Sequence, residues 1–347
     1  MALTDLTLDD CMTYRPDVPA PADFDDFWTR TLALGPVGAP VLRPVDNGLA
    51  LIDTYDVTVP GFDGQPVRGW LRVPAGTDPD GIGGTGTGGR GLACVVEFLG
   101  YGRGRGLPHE NLLHPAAGYA HLLMDTRGQG WSAAPGATSD PAPGPSGTVP
   151  GFLTRGLDRP EDHYYRRLFA DAVRWTEAAR ALPMVDPDRI VVTGFSQGGG
   201  IALAVAGLVP GLAGVMPDVP FLCHIRRGAE IAPEPPYTEI AQYLALHRDR
   251  VDRAFTTLSY FDGVHFAARA DAPALFSIAL MDPVCPPSTC FTAYHRYAGE
   301  KSVEVYPFNG HEGGGRVHER LQLAFLRDRV GAPRTTGASV TAAHLPA

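Results

Sequence analysis

Hydrophobic positions in this chain fall into near-continuous runs after residue 91, separated by segments with helical spacing. The runs span residues 92–100, 120–125, 189–194, 272–282 and 302–310. Such runs are typical of strands that are buried on both faces of a parallel sheet. The intervening helical segments are 164–182, 199–208, 237–246, 288–297 and 317–330. The alternation predicts an α/β fold, a mostly parallel, doubly wound sheet flanked by helices, in one domain over residues 1–331.

The pattern before the first run differs and predicts an N-terminal extension. Residues 21–34 place Phe24 and Phe27 on one face of an amphipathic helix. Two β-like stretches, 51–61 and 66–74, follow and are joined by the Asp-Gly pair of "FDGQ". An Asp-Gly pair in that position is a strong hairpin signal. We therefore expect a helix and a β-hairpin ahead of the parallel sheet.

Three segments show no regular periodicity. Residues 76–91 are glycine-rich, above all in 81–91, and lack the Gly-Lys-Ser/Thr ending of a phosphate-binding loop, which predicts a flexible surface connection. Residues 131–160 are rich in Pro, Gly and Ser and predict a long loop that shapes a site or an interface. Residues 332–347 predict a disordered tail.

Charge and composition exclude several classes of protein. The formal net charge of the 347 residues is −9, and Lys301 is the only lysine. No helix carries a basic stripe, so binding to nucleic acid is not expected. No run approaches the ~18 apolar residues of a membrane span, and the N-terminus has no signal-peptide pattern. We expect a protein that binds neither nucleic acid nor membrane.

The cysteines argue for a reducing compartment. There are five of them, an odd number, and no CxxC pair. A disulfide framework and a zinc ribbon are both disfavoured by that pattern, and a cytoplasmic location is the expectation. Cys285, in "PVCPP", is interpreted as a small apolar filler and not as a nucleophile.

The stretch "RIVVTGFSQGGG", residues 189–200, carries the clearest chemical signal. Gly194 to Gly198 reads G-x-S-x-G, the nucleophile elbow, with Ser196 between a strand and a helix. The tight turn brings strand and helix together, so Gly194 and Gly198 lack a Cβ where one would collide. The N-terminus of the helix also directs free amides at the site, which favours a developing negative charge.

A serine nucleophile needs a base that is oriented by an acid, and elbow hydrolases place these later in the chain. Asp282 follows one predicted strand and His311 follows the next, so both reach the edge of the sheet that holds Ser196. Asp271 lies before its strand, at the opposite edge. The stretch "HEGGG" lacks the second histidine of a zinc protease motif. The sequence predicts a triad of Ser196, His311 and Asp282.

An oxyanion requires two hydrogen-bond donors. We expect the backbone amide of Gln197 to be one, and the loop "FLGYGRGRG", with Tyr101 at its turn, to supply the other. That glycine pattern also suggests a dinucleotide-binding loop. The alternative is disfavoured because Arg105 stands where the third glycine of GxGxxG belongs. The sequence also lacks an acidic residue at the end of a second strand in the expected context, and Asp125 is the nearest candidate.

With these residues in place, the chain resembles carbohydrate esterase family 7, which includes acetyl xylan esterases and cephalosporin C deacetylases. The resemblance covers roughly residues 20–330. It rests on "RGQG" (127–130), "GFSQGG" (194–199) and "HEGGG" (311–315), and on longer stretches such as "GQPVRGWLRVP", "GFLTRG" and "ALMDPVCPPST".

The resemblance implies an α/β-hydrolase fold and a deacetylase without metal or organic cofactor. It assigns the triad to Ser196, Asp282 and His311, and the oxyanion amides to Tyr101 and Gln197. It further implies that Arg127 and Gln129 support the nucleophile region and that the chain forms a homo-hexamer. Relatives usually read His-Gly-Tyr where this chain has Leu99-Gly100-Tyr101, which changes the polarity expected beside the acyl pocket.

The expected function is removal of acetyl groups from acetylated carbohydrates, such as xylo-oligosaccharides, and from small esters such as cephalosporin C. One alternative is another short-chain acyl hydrolase, either a peptidase or a broader carboxylesterase. A second alternative is a hydrolase fold that binds a ligand without catalysis. The sequence leaves the natural ester open.

Overall fold

The computed structural model describes residue 3 and residues 5–35, 38–80, 91–141 and 149–332. Within them, all strands belong to one nine-stranded sheet with the order β1-β2-β3-β5-β4-β6-β7-β8-β9. The strands are β1 (Val41–Val45), β2 (Ile52–Pro60), β3 (Pro66–Pro74), β4 (Leu92–Phe98), β5 (Ala120–Met124), β6 (Val185–Phe195), β7 (Gly214–Asp218), β8 (Ala274–Ala279) and β9 (Lys301–Tyr306).

The six strands β4 to β9 run parallel to one another, and β1 to β3 add an antiparallel edge beside β5. The prediction of a mostly parallel α/β sheet is therefore confirmed. The hairpin is confirmed as well, since β2 and β3 pair around a turn in which Asp63 and Gly64 have positive φ angles of 51° and 72°.

Two strands were not predicted. β1 contains Pro44 and lies at the edge of the sheet, which is where proline is tolerated in a strand. β7 is only five residues long and contains Pro217. It lies between β6 and β8, so it carries the parallel sheet from the nucleophile strand towards the strand that precedes Asp282.

Helices cover both faces of the sheet. One face packs against α4, α5 and α10, with α2 and α9 packed on those helices, and the other packs against α11 through Leu326 and Val330. This double coverage explains why the strands read as continuous apolar runs. The helices are α1 (Leu8–Thr13), α2 (Phe24–Leu32), α3 (Leu113–Ala116), α4 (Tyr164–Arg180), α5 (Gln197–Leu208), α6 (Ile225–Ile231), α7 (Thr238–Leu246), α8 (Val251–Ser259), α9 (Gly263–Ala267), α10 (Pro287–Arg296) and α11 (Gly315–Val330).

The predicted helices are all present with shifted ends, whereas α1, α3, α6, α8 and α9 were missed. Four of these have seven residues or fewer, too few for a periodic pattern to stand out. The exception, α8, buries Ala254 and Leu258 on one face and could have been identified from that spacing.

Several sequence predictions concern segments that the structure describes only in part. The glycine-rich stretch 81–90, residues 142–148 of the long loop and residues 333–347 of the tail lie outside the described residues. In the described part of the chain, no helix combines the length and apolar character that a membrane crossing requires.

Candidate active site

Ser196 lies at the sharp turn between β6 and α5, at the carboxyl edge of the sheet. Its backbone has φ 58° and ψ −117°, a conformation that residues with a side chain rarely adopt. Hydrogen bonds hold the turn on both sides: the Ser196 amide donates to the carbonyl of Asp218, and the Ser196 carbonyl accepts from the amide of Phe221. The strain is therefore stabilised by the neighbouring β7 and its loop.

The two glycines of the elbow have separate steric reasons. A Cβ on Gly194 would lie 2.3 Å from the carbonyl of Gly198, where the strand passes the helix. A Cβ on Gly198 would lie 2.0 Å from the carbonyl oxygen of Phe98, at the end of β4. Both distances are far below van der Waals contact, so only glycine allows this approach of strand and helix.

The structure brings the three predicted triad side chains together. His311 Nε2 lies 3.0 Å from Ser196 Oγ, and His311 Nδ1 lies 2.9 Å from Asp282 Oδ2. Ser196 is 4% exposed and the Asp282 side chain is 0% exposed, whereas the His311 side chain is 26% exposed. The ring of Phe195 packs 4.9 Å from the imidazole. A proton can thus pass between serine and histidine, and His311 is the most exposed of the three residues.

The second oxygen of Asp282 is occupied by the backbone. Asp282 Oδ1 accepts from the amides of Val284 at 2.8 Å and Cys285 at 2.9 Å. These bonds orient the carboxylate so that Oδ2 alone faces His311. The turn after β8 therefore dictates which proton the imidazole carries, because Nδ1 must donate to this oxygen.

Two backbone amides are available beside Ser196. Tyr101 follows the end of β4, the strand next to β6, and Gln197 begins α5. Within the described residues, neither amide donates a hydrogen bond to the protein. Buried amides without an acceptor are rare, and at a helix N-terminus beside a nucleophile they suit an oxyanion.

The side chains of Gln129 and Gln197 connect the two loops that carry these amides. Gln129 Oε1 accepts from the Gly102 amide at 2.7 Å, and Gln129 Nε2 donates to Gln197 Oε1 at 2.9 Å. Gln197 Nε2 donates to the carbonyl of Leu99 at 3.2 Å, and its Oε1 also accepts from the Tyr165 hydroxyl. Buried side chains thereby connect the loop of Tyr101 to the start of α5 at Gln197, with Gln129 as the bridge.

Arg127 is linked to Gln129 through the hydroxyl of Tyr164. Its guanidinium forms a buried bidentate pair with Asp171 on α4, with Nε–Oδ2 and Nη2–Oδ1 distances of 2.5 and 2.8 Å. The carbonyl of Arg127 accepts from the Tyr164 hydroxyl, and Tyr164 accepts from Gln129 Nε2. Arg127 does not reach the triad, so its contribution is to hold the loop that positions Gln129.

Glu239, on α7, was not predicted from the sequence and binds the hydroxyl of Tyr101. Its Oε1 accepts from the Tyr101 hydroxyl at 2.7 Å and from the Gly151 amide at 3.0 Å, and its Oε2 accepts from the Leu153 amide. The Tyr101 hydroxyl accepts from the Phe152 amide in turn. Burial raises the pKa of Glu239 above its ordinary value. These hydrogen bonds tie the Tyr101 loop to the described end of the long loop.

Leu99, the departure from the family pattern, packs against other apolar side chains. It is 5% exposed and packs in a small apolar cluster with Trp70 and Leu123. Its backbone carbonyl accepts a hydrogen bond from Gln197 Nε2, a contact that does not depend on the Leu99 side chain.

Two groups of side chains offer closely spaced metal-ligand atoms in the described residues. One consists of Glu97, His114 and His121, and the other of Asp282, Cys285 and His311. In the first group His121 Nε2 already lies 2.7 Å from Glu97 Oε2. The positive charge of the buried Arg72 acts on the same Glu97, which disfavours a dication there. The second group includes Asp282 and His311, two of the three residues of the candidate triad.

Sheet order, elbow geometry and the Ser196–His311–Asp282 arrangement together define an α/β hydrolase with the site of a serine hydrolase. Comparison with known proteins narrows this class. The acetyl xylan esterase (AXE1) family model matches residues 1–329. The chain belongs to the acetyl xylan esterase family, and it is a carboxylic ester hydrolase.

Solved structures of similar proteins agree with this assignment. The acetyl xylan esterase from Paenibacillus sp. R4 is 37% identical, with a TM-score of 0.84 over 93% of this chain and 100% of that one. Acetyl xylan esterase 1 from Thermoanaerobacterium sp. JW/SL YS485 is 31% identical, with a TM-score of 0.81 over 93% and 99%. These full-length matches support hydrolysis of acetyl esters.

A curated relative is similar over a shorter range. The acetyl esterase Axe7A of Xylanibacter ruminicola is 30% identical over 172 residues. The match spans 46% of this chain and 36% of that protein, so this chain matches only about a third of the relative's length.

Proposed function

We propose that the protein removes acetyl groups from acetylated carbohydrates through an acyl-enzyme formed on Ser196. The observation that carries the proposal is the unbroken hydrogen-bond path from Ser196 Oγ through His311 to Asp282, beside two amides without acceptors. This set of groups supplies a nucleophile, a base, an orienting acid and an oxyanion site.

In the first half of the reaction, Ser196 Oγ attacks the acetyl carbonyl while His311 Nε2 takes the hydroxyl proton. Asp282 holds Nδ1–H in place and stabilises the imidazolium that forms. The carbonyl oxygen becomes an oxyanion and accepts from the amides of Tyr101 and Gln197. His311 then donates its proton to the departing sugar alcohol, which leaves the acetyl group on Ser196.

In the second half, water takes the position of the alcohol. His311 removes a proton from water, which attacks the acetyl carbonyl of the acyl-enzyme and forms a second oxyanion. Collapse of that intermediate breaks the bond to Ser196 Oγ, and His311 returns the proton to the serine. Acetate leaves, and every step uses residues of this chain alone.

The substrate class is proposed from the family and not from a bound ligand. Acetylated xylo-oligosaccharides are the first candidates, and cephalosporin C presents the same acetyl ester. A series of 4-nitrophenyl esters from acetate to octanoate, with an acyl-peptide anilide, tests the acyl preference. We expect the highest kcat/KM for acetate and propionate. Faster turnover of octanoate or of the anilide would contradict the proposal and favour a broader esterase or a peptidase.

Measuring acetate release from acetylated xylo-oligosaccharides, other acetylated sugars and cephalosporin C then ranks the candidate alcohols. Turnover of 4-nitrophenyl acetate with no acetate release from any acetylated sugar would refute the carbohydrate part of the proposal alone.

Assembly and location are further parts of the proposal. The hexamer rests on the family resemblance, and sedimentation velocity tests it, with a monomer as the contradicting result. The cytoplasmic location is supported by the five cysteines, all buried and free. Cell fractionation tests the location, and activity found mainly in the culture medium would contradict it.

A further inference from the structure

Cys285 lies directly beside the candidate triad and has no part in the proposed mechanism. It is 1% exposed, and its amide donates to Asp282 Oδ1. One donor atom each from Asp282, Cys285 and His311 lies within 4.8 Å of the other two. A thiol, an imidazole and a carboxylate are the ligand types that zinc and cadmium take in proteins.

We propose that Asp282, Cys285 and His311 form a binding site for a soft divalent metal ion, such as Zn²⁺ or Cd²⁺, that reversibly inhibits the enzyme. The inference rests on the proposed function, because it assigns a means of regulation to the same site. The ion is an inhibitor and not a cofactor, since it occupies the base that the reaction requires.

The geometry needs only small shifts. Three atoms no more than 4.8 Å apart lie within about 2.8 Å of a common centre, whereas zinc takes nitrogen and oxygen at roughly 2.0–2.2 Å and sulfur at roughly 2.3 Å. Side-chain movements of about half an ångström therefore close the site. His311 is the partly exposed member, so the ion enters from the solvent side of the imidazole.

Binding is an exchange of protons for the ion. The Cys285 thiol releases its proton to solvent, and the thiolate forms the metal–sulfur bond. Asp282 and one nitrogen of His311 complete the three protein ligands, and water occupies the fourth position. His311 can then no longer both donate to Asp282 and accept the proton of Ser196, so nucleophilic attack stops. A chelator reverses the exchange.

Charge favours this group over Glu97, His114 and His121. The Glu97 group has no thiolate, and the buried Arg72 adds a positive charge beside Glu97. The carboxylate of Asp282 and the thiolate formed at Cys285 bring two negative charges to the ion. The Glu97 group therefore provides a control site with metal-ligand atoms in the same protein.

The test measures inhibition of 4-nitrophenyl acetate hydrolysis by Zn²⁺ and by Cd²⁺, each rate being expressed relative to the same variant without metal. We expect reversible inhibition of the wild-type enzyme that EDTA relieves. In Cys285→Ser and Cys285→Ala the inhibition constant should rise by about tenfold or more, because a metal ligand is lost. The matched controls Cys290→Ser, a buried neighbouring cysteine, and His114→Gln should behave as wild type.

Co²⁺ binding gives a readout that does not depend on activity. A cobalt–thiolate complex at Cys285 produces a near-ultraviolet charge-transfer band, which should be absent from both Cys285 variants and present in Cys290→Ser. Circular dichroism melts check that each variant is folded. If wild-type protein lacks esterase activity, the band still tests the metal site, so the two proposals fail separately. Absence of the band, or equal inhibition of wild type and Cys285→Ser, would overturn the inference.

Discussion

Replacing Asp282 with asparagine should reverse the tautomer of His311. Asp282 Oδ1 accepts from the amides of Val284 and Cys285 at 2.8 and 2.9 Å. In Asp282→Asn the amide oxygen keeps these two bonds, because its NH2 group cannot accept them. The NH2 group must then occupy the place of Oδ2, 2.9 Å from His311 Nδ1, and donate to it. The imidazole proton moves to Nε2, which can no longer accept the proton of Ser196.

The size of the effect follows from that reversal. Loss of the correct tautomer in a serine triad lowers kcat by about 10⁴, which corresponds to about 5 kcal/mol in the activation barrier. Steady-state hydrolysis of 4-nitrophenyl acetate measures kcat, and ¹⁵N spectra of labelled histidine report which ring nitrogen of His311 carries the proton. The melting temperature should change little, since the variant keeps the shape and the two backbone bonds of Asp282.

Asp271→Asn is the matched control, because Asp271 precedes β8 whereas Asp282 follows it. We expect wild-type activity from this control. If Asp282→Asn retained more than a tenth of kcat, or if Nδ1 of His311 stayed protonated in it, the assigned role of Asp282 would be refuted.

Three further predictions follow from contacts around the site. Gly198→Ala places a Cβ 2.0 Å from the carbonyl oxygen of Phe98 and should lower Tm by roughly 5 °C; an unchanged Tm by calorimetry would refute the steric argument. Tyr101→Phe removes the hydroxyl that Glu239 holds and should lower kcat about tenfold with little change in KM, whereas a change confined to KM would contradict a role in positioning the oxyanion amide. Burial lowers the pKa of His163 from 6.5 to about 4. Below pH 6.5 the unfolded chain binds a proton at this residue while the folded protein does not, so the free energy of unfolding decreases as the pH falls from 6.5 towards 4, by roughly 3 kcal/mol in all. Between pH 7 and pH 4.5, urea unfolding should show a smaller decrease in the free energy of unfolding for His163→Asn than for the wild type. Equal decreases in the two proteins would contradict the assignment of this pH dependence to His163.

The elements that could be predicted from the sequence are those with a strong local pattern. The buried strands are continuous apolar runs because helices cover both faces of the sheet. Ser196 was identifiable because its motif follows one of those strands and opens a helix. Asp282 and His311 could be placed near it by topology, since the carboxyl ends of parallel strands share one edge.

The elements that could not be predicted depend on distant contacts. Glu239 has no local motif, and its role arises only from bonds to Tyr101, Gly151 and Leu153, which the fold brings to α7. β7 is a short strand interrupted by Pro217, and it owes its place to pairing with β6 and β8. The interpretation of Cys285 as an apolar filler describes its burial but not its position, because spacing along the chain does not show that it lies beside the triad.

Labelling by a fluorophosphonate serine probe, followed by peptide mass spectrometry, tests the role of Ser196 most directly. We predict one adduct per chain, located on Ser196, with loss of hydrolysis of 4-nitrophenyl acetate in proportion to labelling. Ser196→Ala should neither label nor hydrolyse the ester, while its circular dichroism spectrum matches wild type. An adduct on another residue, or a folded Ser196→Ala that keeps a tenth of the wild-type activity, would contradict the account.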